Sequence, residues 1–189
     1  MRQITLKEEK TKENRTKQLL VGGILIFIML FSVLGYGFQG RGEGASKKID
    51  YNGFEFVNSE GFWTLKDQNL VFKYNPLQVE EIDANLKDIN NYFDKPLYIS
   101  SGDREAESDI YTNLNPVVQR IQYACLNGEV CNDETLPIKT CQDNFIIIQE
   151  AEENSITQEE NCVFIKGTNE NLTKLSDEFL FHILGIREQ

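Results

Sequence analysis

The residues in this sequence that could do chemistry are few. The single histidine, His182, stands in the run DEFLFHILGI, with Glu178 one helical turn before it. Two side chains four residues apart on a helix can share a metal ion or a proton. Catalytic zinc needs a third protein ligand, and neither an HExxH motif nor a second histidine supplies one. GxSxG, CxxC and P-loop patterns are also missing, so the sequence assigns no catalytic residue and no cofactor.

Asp103, Glu105, Glu107 and Asp109 put a carboxylate at every second position. An extended loop could turn all four toward one calcium ion, which takes about six to eight oxygens. EF-hand spacing fails, because Ser108 and Leu114 stand where its glycine and its closing glutamate belong. The same four residues also suit the start of a short helix, where acidic side chains complement the macrodipole. They are the metal candidates of the chain, weighed against that helix start. The acidic run Glu150, Glu152, Glu153, Glu159, Glu160 reads as a solvated loop. Asn171-Leu172-Thr173 is a glycosylation sequon, although Leu172 also opens the apolar face of the last helix.

The four cysteines are Cys125, Cys131, Cys141 and Cys162, with five, nine and twenty residues between them. Zinc knuckles need closer pairs, whereas an even number of cysteines in an exported domain forms disulfides. The preferred pairs are Cys125–Cys131, which staples the turn at Gly128, and Cys141–Cys162, which brackets a strand pair.

Export is argued from the other end of the chain. Leu19 to Phe38 reads LLVGGILIFIMLFSVLGYGF, without a charged side chain. At about 1.5 Å per helical residue it reaches roughly 30 Å, the thickness of a bilayer's hydrocarbon core. Tyr36 and Phe38 suit the headgroup level. Six of the 19 basic residues precede the run, against three of the 30 acidic ones. That places the N-terminal tail in the cytoplasm by the positive-inside tendency. A signal peptide cut after Gly37 is the competing reading, but the tail and the apolar run are both long for one. The expected organisation is a basic cytoplasmic tail (1–18), a transmembrane helix (19–38), a glycine-rich stalk (39–48) and an acidic extracytoplasmic domain (49–189).

The run and domain keep 13 basic against 27 acidic residues. A surface of that sign repels phosphate backbones, so nucleic acid is excluded as a partner. Aromatic alternation over Tyr51–Phe56, Phe62–Leu65 and Leu70–Tyr74, broken by turn signals, predicts an antiparallel meander. Asn75-Pro76 then predicts a helix with Val79, Ile82, Leu86, Ile89 and Phe93 on one face. Leu97–Ser100 predicts a strand, and Asn115-Pro116 a second helix through Cys125. Phe145–Gln149 and Cys162–Lys166 predict two buried strands. Leu172, Leu175, Phe179, Leu180, Ile183 and Leu184 mark a last helix that stops at Gly185. The fold class is therefore α+β around a mostly antiparallel sheet: meander, helix, strand, helix, strand pair, helix.

Tethering without catalytic equipment points to an interaction or assembly module at the cell membrane. Its expected partners are the lipid bilayer, through residues 19–38, and another membrane or exported protein. The runner-up is an extracytoplasmic enzyme or binding protein with a carboxylate–metal site on the acidic loops.

Overall fold

The computed structural model describes residue 17, residues 19–32 and residues 47–187 apart from 67 and 132. The chain separates into two compact units, Met1–Ala45 and Ser46–Gln189. In the first, residues 19–32 form a helix, α1, whose large apolar side chains are all at least half exposed. No helix among the described residues is long and apolar enough to cross a membrane. The rest of the predicted span, residues 33–38, lies outside the described residues, as do nearly all of the predicted tail and stalk.

The second unit opens with a four-stranded antiparallel meander: β1 (Lys48–Tyr51), β2 (Phe54–Ser59), β3 (Phe62–Leu65) and β4 (Val71–Phe72). Asn52 and Gly53 join the first pair with φ of 47° and 83°. Two consecutive left-handed residues between directly paired Tyr51 and Phe54 make a type I′ turn, whose twist matches that of the strands. Glu60 and Gly61 repeat the device between β2 and β3.

The chain continues through β5 (Pro96–Ser101), helix α2 (Arg104–Leu114) and β6 (Arg120–Tyr123). Two short strands, β7 (Cys125–Leu126) and β8 (Ile138–Lys139), lead to β9 (Asn144–Glu150), β10 (Ser155–Glu159), β11 (Cys162–Gly167) and helix α3 (Asn169–Ile183). The main sheet has the order β10-β11-β9-β5-β6, with β6 and β10 at its edges. Its central strand, β9, is covered on both faces, which is why Phe145 to Ile148 is an unbroken apolar run.

Alternation sends the two halves of each strand into two different cores. Leu97, Ile99, Ile146, Ile148, Val163 and Ile165 face α2 and α3. Beyond the helices lies the meander, where Phe181 of α3 meets Phe56 and Phe72 with ring centroids 6.0 and 4.8 Å away. Tyr98, Phe145, Ile147 and Cys162 point the opposite way, under Ala124, Leu126 and Cys141. Among the described residues of this unit no helix covers this second face; the segment carrying both disulfides does. Cys125 is joined to Cys131 and Cys141 to Cys162, with Cα atoms 5.6 and 4.8 Å apart. Loop-closure entropy gives about 2–2.5 kcal/mol for the shorter ring and about 3–3.5 for the longer.

Four expectations are corrected. The helix expected from Val79 to Phe93 does not form; apart from one 3-10 turn at Ile89–Asn91 the segment is irregular. Its backbone groups are taken by tertiary partners: the Pro76 and Val79 carbonyls accept from Arg187, and the Ile82 and Lys87 N–H groups donate to Glu178 and Gln158. Ile82, Ala84 and Leu86 pack on the core while Asp83, Asn85 and Lys87 are exposed, a period of two. The second helix comes before Asn115-Pro116, not after it. Asp103 caps α2 by accepting from the Ala106 N–H at 2.8 Å, and Asn115 closes it because Pro116 disfavours further helix. Residues 120–123, expected in a helix, pair with β5 as β6. The main sheet is also mostly parallel: β5 pairs in parallel with β6 and β9, and β9 with β11, leaving only β10–β11 antiparallel. Part of the expected acidic loop is thereby strand β10.

Helix α3 lies so close to β11 that a Cβ on Gly167 would meet Leu175 Cδ1 at 2.5 Å and Asn154 Oδ1 at 2.7 Å. Gly167→Ala is expected to cost about 1–3 kcal/mol in urea unfolding, as overpacking does. Gly102→Ala, where nothing lies within 4 Å, serves as the control. Equal stability of the two variants would show that the β11–α3 contact is looser than described.

Candidate functional site

Helix α3 is buried from Leu175 to Ile183, with Ser176, Asp177, Glu178 and His182 enclosed among the apolar residues. Polar groups with no water must find partners inside. Two clusters supply most of these partners, while Ser176 Oγ and Asp177 Oδ1 neither accept nor donate a hydrogen bond.

In the first, the Arg187 guanidinium folds back along α3 to grip Glu178. Its Nε lies 3.0 and 3.1 Å from the two carboxylate oxygens, and one terminal nitrogen is 2.7 Å from Oε2. Arg187 also donates to the Tyr51 hydroxyl at 2.5 Å and to the Pro76 carbonyl at 3.0 Å. One side chain thus ties β1, the irregular segment and α3 together. His182 Nε2 stands 3.4 Å from Glu178 Oε1. Burial works to raise the Glu178 carboxyl, but His182 and Arg187 outweigh it and hold it below its ordinary value. The Glu178 carboxylate in turn raises the imidazole against the burial that would lower it. The two signs bound a pH window. Stability from Glu178 is lost as pH falls through its lowered value, and stability from His182 is lost as pH rises through its raised one.

A carboxylate beside a histidine can serve as a general base only where substrate reaches the imidazole. Here Glu178 has no exposed surface and His182 is 8% exposed. The cluster is built as a clamp.

The second cluster brings Asp177 of α3 and Asp109 of α2 within electrostatic reach of each other, beside Lys73. Asp177 Oδ2 accepts from the Tyr74 N–H at 2.7 Å. Asn113, one turn beyond Asp109, accepts from the Val71 N–H at 2.9 Å and donates to the Val71 carbonyl at 2.7 Å. It holds β4 as another strand would.

The four acidic metal candidates do not converge. Asp103 is the cap of α2, Glu107 accepts from the Tyr123 hydroxyl, and Asp109 turns inward toward Asp177. Glu105 lies exposed in the first turn. Among the described residues, no group of three or more His, Cys, Asp or Glu could hold a metal ion. Asn171 opens α3, its amide 3.4 Å from Asn154, while Leu172 and Thr173 of its sequon are buried. It lines an open polar cleft with Gln78, Glu80, Asn154, Lys174 and Leu175. No protein family, characterised protein or solved structure matches this chain, so its geometry is the basis for any reading.

Asp177, Arg187, Lys73 and Asn113 were not among the residues that spacing singled out, and Tyr51 entered only as a strand residue. One signal was available: FLFHIL is apolar on every face of a helix, which marks a buried helix and therefore buried neighbours at Asp177 and Glu178. Nothing local marks Arg187.

Arg187→Met leaves the Glu178 carboxylate buried without its cation and is expected to cost about 3–5 kcal/mol in urea unfolding. Adding Glu178→Leu should recover most of that loss. A cost under about 1 kcal/mol for the single change, the scale of an exposed pair, would mean that the clamp is open to solvent.

Proposed function

We propose that this chain is a single-pass membrane protein whose exported α+β domain works as an interaction or assembly module at the cell surface. The observation that carries the proposal is the pair of disulfides roofing the second face of the main sheet. Small disulfide-stapled layers belong to oxidising compartments, and this domain depends on one for that face. An exported domain needs a route and an anchor. The charge-free run from Leu19 to Phe38 offers both, with residues 19–32 helical and exposing their apolar side chains.

A binding role is preferred to catalysis on the burial of the polar side chains. The strongest titratable clusters, around Glu178 and Asp177, are enclosed between layers and bind parts of the chain itself. Substrate has no access to them. Exposed apolar residues such as Val130 and Ile138 on the disulfide-bearing segment offer contact surface instead.

Protease added to intact cells is expected to remove a tag at residue 189 and to spare one at residue 1. Digestion of the first tag with protection of the second would reverse the orientation. A full-length chain that leaves the membrane pellet on carbonate washing would remove the anchor. Cross-linking on intact cells should then join the domain to another surface protein, and the absence of any adduct would count against the module.

A further inference from the structure

We infer that Arg120, Lys139 and the Tyr98 hydroxyl form a binding site for a single tetrahedral oxyanion, a phosphate or sulfate group, at the seam between edge strand β6 and the disulfide-bearing segment. Strand register builds it. Pro96 pairs with Arg120 and Tyr98 with Gln122, so Arg120 and Tyr98 stand on the same face of the main sheet. That face is the one closed by the segment carrying both disulfides, whose strand β8 holds Lys139. The side chains therefore come from β6, β5 and β8. They meet where the cover gives way to solvent: Tyr98 is 3% exposed, Lys139 is half-buried and Arg120 is open.

Arg120 donates from one terminal nitrogen to the Tyr98 hydroxyl at 3.3 Å. Lys139 Nζ stands 4.3 Å from the centre of the same ring, so a second cation is held against one phenol. Lys139 and then Arg120 draw that phenol below its ordinary value. A guanidinium and an ammonium each carry several N–H donors and no acceptor. Arg120 has used one donor, and it pairs with no carboxylate among the described residues. Lys139 reaches Asp143 only at 3.5 Å, in a partly exposed pair. The hydroxyl accepts from Arg120, and its own proton meets no acceptor among the described residues.

Donors gathered at one place with no acceptor among them are an incomplete arrangement. The hydrogen bond from Arg120 is enough for the tyrosine; a second cation on the same ring adds repulsion. A ligand that only accepts removes the repulsion and takes up the donors together. A tetrahedral oxyanion presents oxygens in several directions, whereas a carboxylate presents two in one plane and suits the Arg120 fork alone.

The rest of the surface limits the ligand's size. With 27 acidic against 13 basic residues beyond the N-terminal tail, long polyanions are repelled before they reach the seam. The ligand is accordingly one phosphate or sulfate group, free or carried as a monoester by a larger molecule. The site does not depend on where the domain resides.

The test uses the full-length chain in a neutral maltoside detergent, with the hydroxyl-bearing ring carbon of its tyrosines labelled for NMR. The Tyr98 signal is assigned by its loss in Tyr98→Phe. Inorganic phosphate and sulfate should each shift that signal along a saturable curve, and sodium chloride at equal ionic strength should not. Bound oxyanion should also raise the pH at which Tyr98 ionises, because phenolate and ligand compete for the same two cations. Arg120→Gln and Lys139→Gln should each weaken binding by about tenfold or more, the scale of one hydrogen bond to a charged group. Lys174→Gln, a cation on α3, should leave binding unchanged, and urea unfolding checks that each variant is folded. Phenyl phosphate and phenyl sulfate separate the two sources: tighter binding than the inorganic ion supports a carried monoester, weaker binding a free ion. A shift that follows ionic strength alone overturns the inference, as does undiminished binding in both Arg120→Gln and Lys139→Gln. Acetate that binds as tightly as phosphate would make this a carboxylate site and overturn the tetrahedral reading.

Discussion

From Leu175 to Ile183 every side chain of helix α3 is buried, and the architecture follows from that. A helix at the surface can leave its carboxylates to solvent. One packed between a sheet and a meander must supply each of them with an internal partner, or fold at a cost of several kcal/mol per unpaired charge. The partners come from far along the chain. Glu178 takes its cation from Arg187, beyond the helix end, and Asp177 takes an N–H from Tyr74, beyond the meander. These bonds bring the meander, the irregular segment and the C-terminal residues to the same helix. Apolar packing supplies most of the attraction, and the buried charges fix which segments lie where.

The other face of the main sheet is managed differently. An all-parallel neighbourhood needs both faces covered, and crossover helices commonly do this. Here α2 and α3 lie on one face, so the second must be covered by chain with little regular structure of its own. Such a layer has few backbone hydrogen bonds and a small core. Two covalent links make up for what a short apolar layer lacks.

The sequence was legible where side-chain pattern and backbone pairing agree. The meander, with its Asn52-Gly53 turn, and α3, with its stop at Gly185, stand where periodicity placed them. The pattern failed where long-range partners decided the backbone. Val79, Ile82, Leu86, Ile89 and Phe93 do have helical spacing, but Phe93 ends up exposed and the carbonyls of Pro76 and Val79 serve Arg187. Asn115-Pro116 carries information about a boundary without saying on which side the helix lies, because proline is favoured both just inside a start and just past an end. Parallel pairing was hidden for a related reason: an unbroken apolar run such as Phe145–Ile148 names a central strand but not its direction. The buried clusters were the least legible part, since a carboxylate's burial depends on what covers its helix, and that is a property of the whole domain.

The two free margins of the main sheet matter wherever copies of the domain meet at high local concentration. Unpaired strands there could join copy to copy into a continuous ribbon. Both margins are poorly suited to it. β6 is four residues long, and its Arg120, Gln122 and Tyr123 are all exposed. β10 is five residues long, closes on Glu159 and is followed by Glu160. Short, polar edges of this kind discourage edge-to-edge growth. The acidity that looks like mere solvation in the composition then has a second effect, keeping crowded copies apart.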